Sequence, residues 1–326
     1  MIRPGVAAPA LASRMGSEIL LERGGVRYHP LRSRSLLSRC TSTNVPFDWT
    51  VNPYRGCTMG CRYCYAAYTH EYMGLDARSA FHSVIYVKEG GEAETARRLG
   101  VAARAGALVA LGTATDPWQP GEASAHVTRR FLEIASSLRG LRLAVTTKGA
   151  LVLRDLDLLR RIHERSTLSV AVSLISPHAD LLRRVEPWAP APEARLEVMR
   201  RLATSGLDVG LALAPILPAL TDGEADLDRL LAEVAAAGVR RLNWRLLFLR
   251  SPTRESYLTW LESEFPHHVA AYRRAFAGRS HLGGAYPLRI AARVERLRRK
   301  HGFRDEAFGR SARPRSAGAT QLSLFA

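Results

Sequence analysis

Hydrophobic positions follow two regular patterns that alternate along the chain. From Val45 onward, short apolar, β-branched or aromatic runs alternate with stretches in which apolar residues recur every three or four positions. The runs predict strands, and the stretches predict amphipathic helices. Strands are predicted at residues 47–51, 83–87, 107–111, 142–146, 168–174, 209–216 and 241–248. Predicted helices separate most of them, for example at residues 124–138, 153–165, 192–205 and 223–237.

This alternation predicts an α/β fold made of βα units around a parallel sheet. The six or seven repeats occupy roughly 200 residues, whereas a closed eightfold barrel takes about 250, so we expect a partial TIM barrel. A doubly wound open sheet is the alternative. No G-x-G-x-x-G segment follows the first predicted strand, and this disfavours a dinucleotide-binding sheet.

The two ends of the chain differ in composition from its centre. Residues 1–44 are rich in Arg, Ser and Pro, and they predict an N-terminal extension that wraps the core or is partly disordered. Residues 45–250 contain the predicted barrel, and residues 251–308 predict an aromatic-rich helical cap. Residues 309–326 predict a flexible tail, because their first part is rich in Arg, Ser, Pro and Gly.

Charge gives the first indication of a partner. The 326 residues carry a formal net charge of +17, and all but three of the 47 basic residues are arginines. This charge favours contact with a polyanion such as nucleic acid, although a compositional bias toward arginine would produce it as well. The longest apolar stretch, residues 209–220, is interrupted by Pro215 and Pro218, so we expect a cytoplasmic protein with no membrane span.

Three of the four cysteines lie within eight residues and have the spacing C-x3-C-x2-C. Cys57, Cys61 and Cys64 can bind three irons of a [4Fe-4S] cluster and leave the fourth iron without a protein ligand. That iron could bind S-adenosylmethionine (SAM), and reductive cleavage would then give a 5′-deoxyadenosyl radical. A structural zinc site is the alternative, but it would need His70 or the distant Cys40 as a fourth ligand.

Several separated motifs resemble those of radical SAM proteins grouped with spore photoproduct lyase, in particular a bacterial branch of that group. The motifs are Asn52-Pro-Tyr-Arg-Gly-Cys57-Thr-Met-Gly-Cys61-Arg-Tyr-Cys64-Tyr65, Gly112-Thr-Ala-Thr-Asp-Pro-Trp-Gln-Pro120, Thr146-Thr-Lys-Gly149 and Ala214-Pro-Ile-Leu-Pro218. They occur in the same order as in the family, and the resemblance covers about residues 45 to 250. It implies a partial (β/α)6 TIM barrel with a [4Fe-4S] cluster, SAM and a reductant such as flavodoxin or ferredoxin.

The resemblance also implies which residues contact SAM. Thr113, Thr115 and Asp116 would meet its amino end, and Lys148 and Ser173 would meet its carboxylate. The strand segment that contains Pro215 would border the adenine, and Tyr63, next to the last cysteine, could pack against it. Three alternatives remain open: residues 113–116 as a turn or helix cap, Ser173 bonded to backbone, and Glu186 paired structurally with Arg195.

One departure from the family affects the expected reaction. Spore photoproduct lyase uses a cysteine after the cluster loop as a hydrogen donor, whereas this chain has no cysteine beyond Cys64. Repair of thymine dimers by that route is therefore disfavoured, and the sequence does not assign a catalytic residue.

The C-terminal segment Gln321-Leu-Ser-Leu-Phe325 resembles the peptide by which bacterial replication and repair proteins bind the β sliding clamp. Leu322, Leu324 and Phe325 would supply apolar anchors on a flexible linker. Together with the basic charge, this favours a radical SAM enzyme that acts on nucleic acid, in DNA repair or modification. The alternatives are a metal-stabilised, non-catalytic DNA-binding adaptor, and a radical SAM enzyme with a protein or small-molecule substrate.

Overall fold

The computed structural model describes residues 15, 16, 18–42 and 45–304. Its strands are β1 (Leu21–Arg23), β2 (Val26–Arg32), β3 (Leu37–Arg39), β4 (Trp49–Val51), β5 (Tyr54–Arg55), β6 (Val84–Glu89), β7 (Leu108–Leu111), β8 (Arg142–Thr147), β9 (Thr167–Ser173), β10 (Val209–Ile216) and β11 (Arg241–Leu246). Its α-helices are α1 (Ala77–Ala80), α2 (Glu92–Arg104), α3 (Glu122–Ala125), α4 (Val127–Ser136), α5 (Leu156–Arg165), α6 (Ala179–Val185), α7 (Pro192–Thr204), α8 (Glu224–Ala236), α9 (Thr253–Glu264), α10 (Pro266–Ala275) and α11 (Tyr286–Lys300). Two 3-10 helices cover Tyr65–Met73 and Ala150–Asp155.

A seven-stranded sheet forms the centre of the molecule. Its order is β3-β4-β7-β8-β9-β10-β11, and the six strands from β4 to β11 in this order are parallel, while β3 is antiparallel at the edge. The parallel strands follow one another in chain order, without the reversal that defines a doubly wound sheet. The predicted α/β fold with a partial six-stranded barrel is confirmed.

A second, four-stranded sheet accounts for one difference from the sequence prediction. The strand predicted at residues 83–87 exists as β6, but β6 pairs with β2 in parallel and with β5 antiparallel, outside the barrel. The apolar run of β6 resembles that of a barrel strand, so its pattern does not show which sheet it joins. The described part of the N-terminal extension contributes β1 and β2 to this small sheet and β3 to the central one.

Apolar faces of the outer helices cover the sheet. In α8, for example, Leu227, Leu230, Leu231 and Val234 are buried at helical spacing, and each such side chain contributes about 1.5–3 kcal/mol through burial. The predicted helix at residues 124–138 is interrupted, because His126 has a φ of 53° between α3 and α4. Among the described residues, none of the helices has the length and apolar character needed to cross a membrane.

Within the described residues, three helices follow the barrel and pack on it. Tyr257 of α9 stacks on Tyr272 of α10 with ring centroids 5.6 Å apart, and both side chains are buried. At the first turn of α9, the Thr253 hydroxyl donates a 2.7 Å hydrogen bond to the Cys64 carbonyl. The C-terminal helices are therefore joined directly to the loop that carries the three closely spaced cysteines.

Candidate metal and cofactor site

The cysteine loop begins after β5, and backbone hydrogen bonds fix it to neighbouring elements. The Cys57 N–H donates to the Phe81 carbonyl at 3.1 Å, and the Arg62 N–H donates to the Val185 carbonyl at 3.0 Å. Gly60 has a φ of 71°, and a Cβ at this position would lie 2.7 Å from the Trp188 ring. A glycine is therefore required here by both the backbone conformation and the close contact.

The three thiols are shielded from solvent, and neighbouring thiols raise the pKa of Cys57. Cys57 and Cys61 are buried, and Cys64 is half-buried. Burial raises the pKa of all three thiols and raises that of Cys61 to about 12; Cys61 and Cys64 also raise the pKa of Cys57. Because thiolates are the metal-binding form, occupation of this loop by a metal group would release protons.

The donors near the cysteine loop do not form a site for a single metal ion among the described residues. Among the described residues, no group of three or more His, Cys, Asp or Glu side chains is placed to hold one metal ion. Sulfur atoms that bind different irons of one cube lie farther apart than ligands that share an ion. His70, which was considered as a fourth zinc ligand, has Nε2 2.9 Å from the Val84 carbonyl, and burial lowers its pKa to about 4. The described residues therefore lack the closed four-ligand set typical of structural zinc.

The segment after β7 is held beside the cysteine loop by Asn52. The Asn52 Oδ1 atom accepts hydrogen bonds from the N–H groups of Ala114 at 2.8 Å and Thr115 at 3.3 Å. Its Nδ2 atom donates to the Thr113 hydroxyl at 3.0 Å. Asn52 lies within a motif that carries the family resemblance, but no pattern in the sequence indicates this positioning role.

Asp116 connects the end of β7 to the end of β8. Its carboxylate accepts hydrogen bonds from the Trp118 N–H at 2.9 Å, the Thr147 hydroxyl at 2.7 Å and the Lys148 N–H at 2.6 Å. The Asp116 N–H donates to Cys57 Sγ at 3.4 Å. The carboxylate thus stabilises a turn, as one of the sequence alternatives proposed, while the backbone amide contacts a cysteine sulfur.

A buried charge cluster lies beside Cys61. Glu186 and Arg195 are fully buried and form an ion pair at 2.6 Å, which confirms the structural pairing considered from the sequence. The Tyr63 hydroxyl donates to Glu186, and Lys148 Nζ lies 3.9 Å from Glu186 Oε1 and 5.8 Å from the centroid of the Tyr63 ring. The structure therefore brings together Tyr63 and Lys148, two of the residues predicted to contact SAM.

The charges of this cluster support each other. Burial opposes ionisation of Glu186, but Arg195 and Lys148 outweigh it and hold the pKa of its carboxyl below the usual range. Burial also opposes the charged form of Lys148, yet Cys61 and Glu186 raise its pKa overall. In turn, Lys148 acts to lower the pKa of Cys61. The site thus keeps a cation next to a thiol that would have to ionise before it could bind a metal.

Two hydroxyls at strand ends have no hydrogen-bond partner among the described residues. They are Thr115 Oγ1, in the loop after β7, and Ser173 Oγ, at the last residue of β9, and both are buried. Leaving a buried polar group unpaired costs about 1–3 kcal/mol, so such groups commonly mark the place of a polar ligand. Both lie at the carboxyl end of the parallel sheet, where barrel enzymes bind their ligands.

Pro215 lies in a distorted part of β10. The register between β10 and β11 shifts between Leu213 and Ile216, and Ala214 and Pro215 are only half-buried. Strand irregularities of this kind often occur beside active sites, because they redirect the backbone. Pro215 is thus partly accessible near the same end of the barrel.

Gln119 is a further buried residue to which the sequence assigned no role. Its Oε1 atom accepts a hydrogen bond from the Thr58 N–H at 2.9 Å, and its Nε2 atom donates to the Gly56 carbonyl at 3.4 Å. Both contacts are made within the cysteine loop. Membership of the motif at residues 112–120 was the one signal that pointed to it.

Comparison with known proteins adds a family match and several relatives. The family model described as the radical SAM superfamily matches residues 51–231. An uncharacterized protein of Mycobacterium tuberculosis is 34% identical over 305 residues, which covers 92% of this chain and 89% of the relative. An uncharacterized protein of Methanocaldococcus jannaschii is 26% identical over 183 residues and covers 56% of this chain and 66% of its own length.

Solved structures with the same fold include spore photoproduct lyases. One, complexed with dinucleoside spore photoproduct, is 17% identical with a TM-score of 0.65, and the match covers 85% of this chain and 80% of the other. A double mutant with bound AdoMet and dinucleoside spore photoproduct is 18% identical with a TM-score of 0.63 and covers 84% and 80%. At this identity the likeness establishes a common fold.

Proposed function

The chain belongs to the radical SAM superfamily, and from this premise we propose that Cys57, Cys61 and Cys64 bind the [4Fe-4S] cluster of an enzyme that acts on nucleic acid. The family uses a [4Fe-4S] cluster and SAM, and the protein is a radical SAM enzyme. The observation that carries the ligand assignment is the set of three shielded thiols on one loop, with Lys148 beside Cys61.

The donor set fits this cluster. Three thiols within electrostatic range of one another would provide one ligand for each of three irons, and among the described residues no group of three or more His, Cys, Asp or Glu side chains is placed to hold a single ion. When bound and reduced, the cluster supplies the electron that cleaves SAM to methionine and a 5′-deoxyadenosyl radical. A flavodoxin or ferredoxin would serve as the reductant.

The residues around the loop also fit SAM. The orphaned hydroxyls of Thr115 and Ser173 would find partners in its amino acid group, and the Lys148 cation complements its carboxylate. The Asp116 carboxylate is occupied by three hydrogen bonds, so it would orient the segment of residues 113–116 around the amino end. Pro215 would border the adenine. Tyr63, for which the sequence suggested packing against the adenine, is buried and donates to Glu186, and we propose that it supports this site through Glu186.

Charge and fold support a nucleic-acid substrate. The net charge of +17 favours binding to a polyanion, and a structural neighbour is complexed with a dinucleoside photoproduct. Since the chain has no cysteine after Cys64, the hydrogen-transfer step would differ from that of spore photoproduct lyase. A DNA repair or modification reaction other than direct cysteine-dependent dimer repair fits these observations.

Anaerobic purification tests the proposed function. We expect a brown protein with about four irons per chain that converts SAM to 5′-deoxyadenosine under reduction. Binding to single-stranded and duplex DNA should weaken steeply as salt rises, because phosphate contacts release counterions. A colourless zinc protein would instead support the adaptor, while SAM cleavage without salt-dependent DNA binding would favour a protein or small-molecule substrate.

Replacement of Lys148 by glutamine should weaken SAM binding by about ten- to a hundredfold, since a hydrogen bond to a charged group contributes about 1.5–3 kcal/mol. Equilibrium dialysis of the anaerobic protein measures this change. Lys148→Arg keeps the positive charge and should retain most of the affinity, and Lys300→Gln controls for the loss of one charge at an exposed position. Unchanged SAM affinity in Lys148→Gln would contradict the assignment.

We also propose that the C-terminal peptide Gln321-Leu-Ser-Leu-Phe325 binds a bacterial β sliding clamp, which would place the enzyme in the cytoplasm at replicating or repaired DNA. These residues lie outside the part of the chain that the structure describes. The proposal rests on the two apolar leucines and the phenylalanine at the end of an Arg-rich segment.

The double change Leu322→Ala and Phe325→Ala should lower the affinity for a purified clamp at least tenfold, because it removes two apolar anchors. Surface plasmon resonance with immobilised clamp measures this decrease. Ser323→Ala, within the same peptide, should bind like the unchanged protein. Equal binding of the double variant and the unchanged protein would refute clamp docking through this tail.

A further inference from the structure

A cavity of about 370 Å³ lies among the C-terminal helices, and none of the three cysteines lines it. Residues of α10, the start of α11 and the loop between them line it, together with Pro218 and Ala219, which follow β10. We call it the C-terminal cavity and define it by Tyr272, Phe276, Leu282, Tyr286, Arg274 and Arg279. Its volume lies within the range of about 300–1,000 Å³ typical of small-ligand sites.

The interior of the C-terminal cavity is apolar and aromatic. Tyr272, Phe276 and Leu282 are buried, and the rings of Tyr272 and Phe276 stack with centroids 6.2 Å apart. The Tyr272 hydroxyl donates to the Pro218 carbonyl at 2.7 Å, so this ring is fixed in orientation. Since Pro218 follows β10, the cavity borders the carboxyl end of the parallel sheet, the same end as the site described above.

The rim of the cavity is positively charged. Arg274 and Arg279 are exposed residues of the lining, and the Arg289 guanidinium lies 5.4 Å from the centroid of the Tyr286 ring. Among the described residues that line the cavity there is no Asp or Glu. The acid that approaches it is Asp222, which accepts a 2.8 Å hydrogen bond from the Tyr286 hydroxyl. The opening therefore suits an anionic ligand with a flat apolar part.

We infer that the C-terminal cavity binds an unpaired base of a nucleic-acid single strand, with the adjacent phosphates on Arg274, Arg279 and Arg289. An apolar cavity beside exposed cations is a combination by which proteins hold single strands: the base packs against the lining, where the half-buried Tyr286 is the ring it can reach, and phosphates contact the cations. The net charge of +17 favours such a polyanion over a neutral aromatic ligand. The inference rests on the proposed action on nucleic acid and assigns part of that binding to a defined place.

The position of the cavity would allow a strand bound there to be held close to the barrel. The Thr253 hydroxyl at the start of α9 contacts the Cys64 carbonyl, and α9 stacks on α10 through Tyr257 and Tyr272. A strand anchored in the C-terminal cavity would therefore be held by helices that are fixed to the cysteine loop. A nucleotide farther along the same strand is then the one presented to the barrel.

Removing the two arginine charges at the rim of the cavity tests whether they contact phosphates. The double variant Arg274→Ala and Arg279→Ala should bind a labelled single-stranded oligonucleotide at least tenfold more weakly at moderate salt. Its slope of log affinity against log salt should be smaller by about 1.4, that is about 0.7 for each phosphate that is no longer neutralised. Arg160→Ala with Arg161→Ala, an exposed pair on α5, removes the same charge elsewhere and should change both quantities much less. Equal weakening in the two double variants would overturn the inference.

Filling the cavity with a larger side chain tests whether a base occupies it. The unchanged protein should prefer a normal strand to an abasic strand of equal length by about five- to a hundredfold, because the abasic strand has no base to stack. Ala271→Trp places bulk at a lining position without changing charge and should abolish this preference. Ala270→Trp, its exposed neighbour outside the lining, should preserve it. A preference that survives Ala271→Trp would refute the proposed occupant.

The outcomes separate this inference from the proposed function. If the protein cleaves SAM and binds nucleic acid, but its binding does not depend on Arg274, Arg279 or Ala271, the proposed function stands and the assignment of the cavity is wrong. If the protein binds single strands through the cavity but does not cleave SAM, the assignment of the cavity stands and the proposed radical chemistry is wrong. Absence of any salt-dependent binding by the unchanged protein would remove the cavity and the nucleic-acid substrate together.

Discussion

The Cys61→Ala variant is expected to contain no [4Fe-4S] cluster and to form no detectable 5′-deoxyadenosine from SAM. Removal of this thiol leaves two on the loop, too few to hold three irons of the cluster. A cube held at two corners readily releases iron. Iron analysis and chromatography of the reaction products after anaerobic reconstitution measure both effects.

Cys40→Ala is the matched control for this change. Cys40 follows β3, is half-buried, and its N–H donates to the Asp48 carbonyl at 2.8 Å. We expect this variant to keep its iron and its SAM cleavage, since a cysteine outside the loop contributes no ligand. If Cys61→Ala still cleaves SAM, or if Cys40→Ala loses the cluster instead, the assignment of ligands is wrong.

The Arg195→Met variant should lose about 3–5 kcal/mol of unfolding free energy, the usual cost of leaving a buried charge without its partner. Arg195 and Glu186 are both fully buried at 2.6 Å, and Arg195 Nη1 also donates to the Ser173 carbonyl at 3.0 Å. Methionine fills a similar volume but supplies neither charge nor donors. Urea unfolding of the anaerobic protein, followed by circular dichroism, measures the decrease.

Arg200→Met lies on the same helix, α7, and serves as the control. Arg200 pairs with Glu197 on the surface, where the two side chains are 57% and 46% exposed. Such exposed pairs contribute about 0–1 kcal/mol. Equal destabilisation of the two variants would mean that Arg195 acts through general helix stability rather than through the buried pair with Glu186.

The barrel was predictable because each of its strands and helices has a recognisable pattern within its own short segment of sequence. Runs such as residues 209–216 are apolar throughout, as expected for strands covered on both faces, and the helices between them carry a clear helical period. The small sheet was not predictable in the same way. β2 and β6 pair across more than fifty residues, and an apolar run alone does not indicate its partner.

In the candidate site, too, the local features were predictable from the sequence and the long-range contacts were not. Spacing within eight residues was sufficient to single out the three cysteines as a group. In contrast, the Tyr63 hydroxyl meets Glu186 across 123 positions, and Asn52 organises residues that lie about sixty positions away. Contacts of this kind depend on how strand ends converge in the folded barrel, which periodicity does not describe.

The contact between Thr253 and Cys64 means that the barrel is not a separable module. A fragment ending at residue 250, where the predicted barrel ends, would leave the Cys64 carbonyl without its hydroxyl donor and would expose surface now covered by the buried Tyr257 and Leu261. Such a truncation would disturb the cysteine loop from a distance. Chimeras that graft this barrel onto another protein must therefore carry helices α9, α10 and α11 with it.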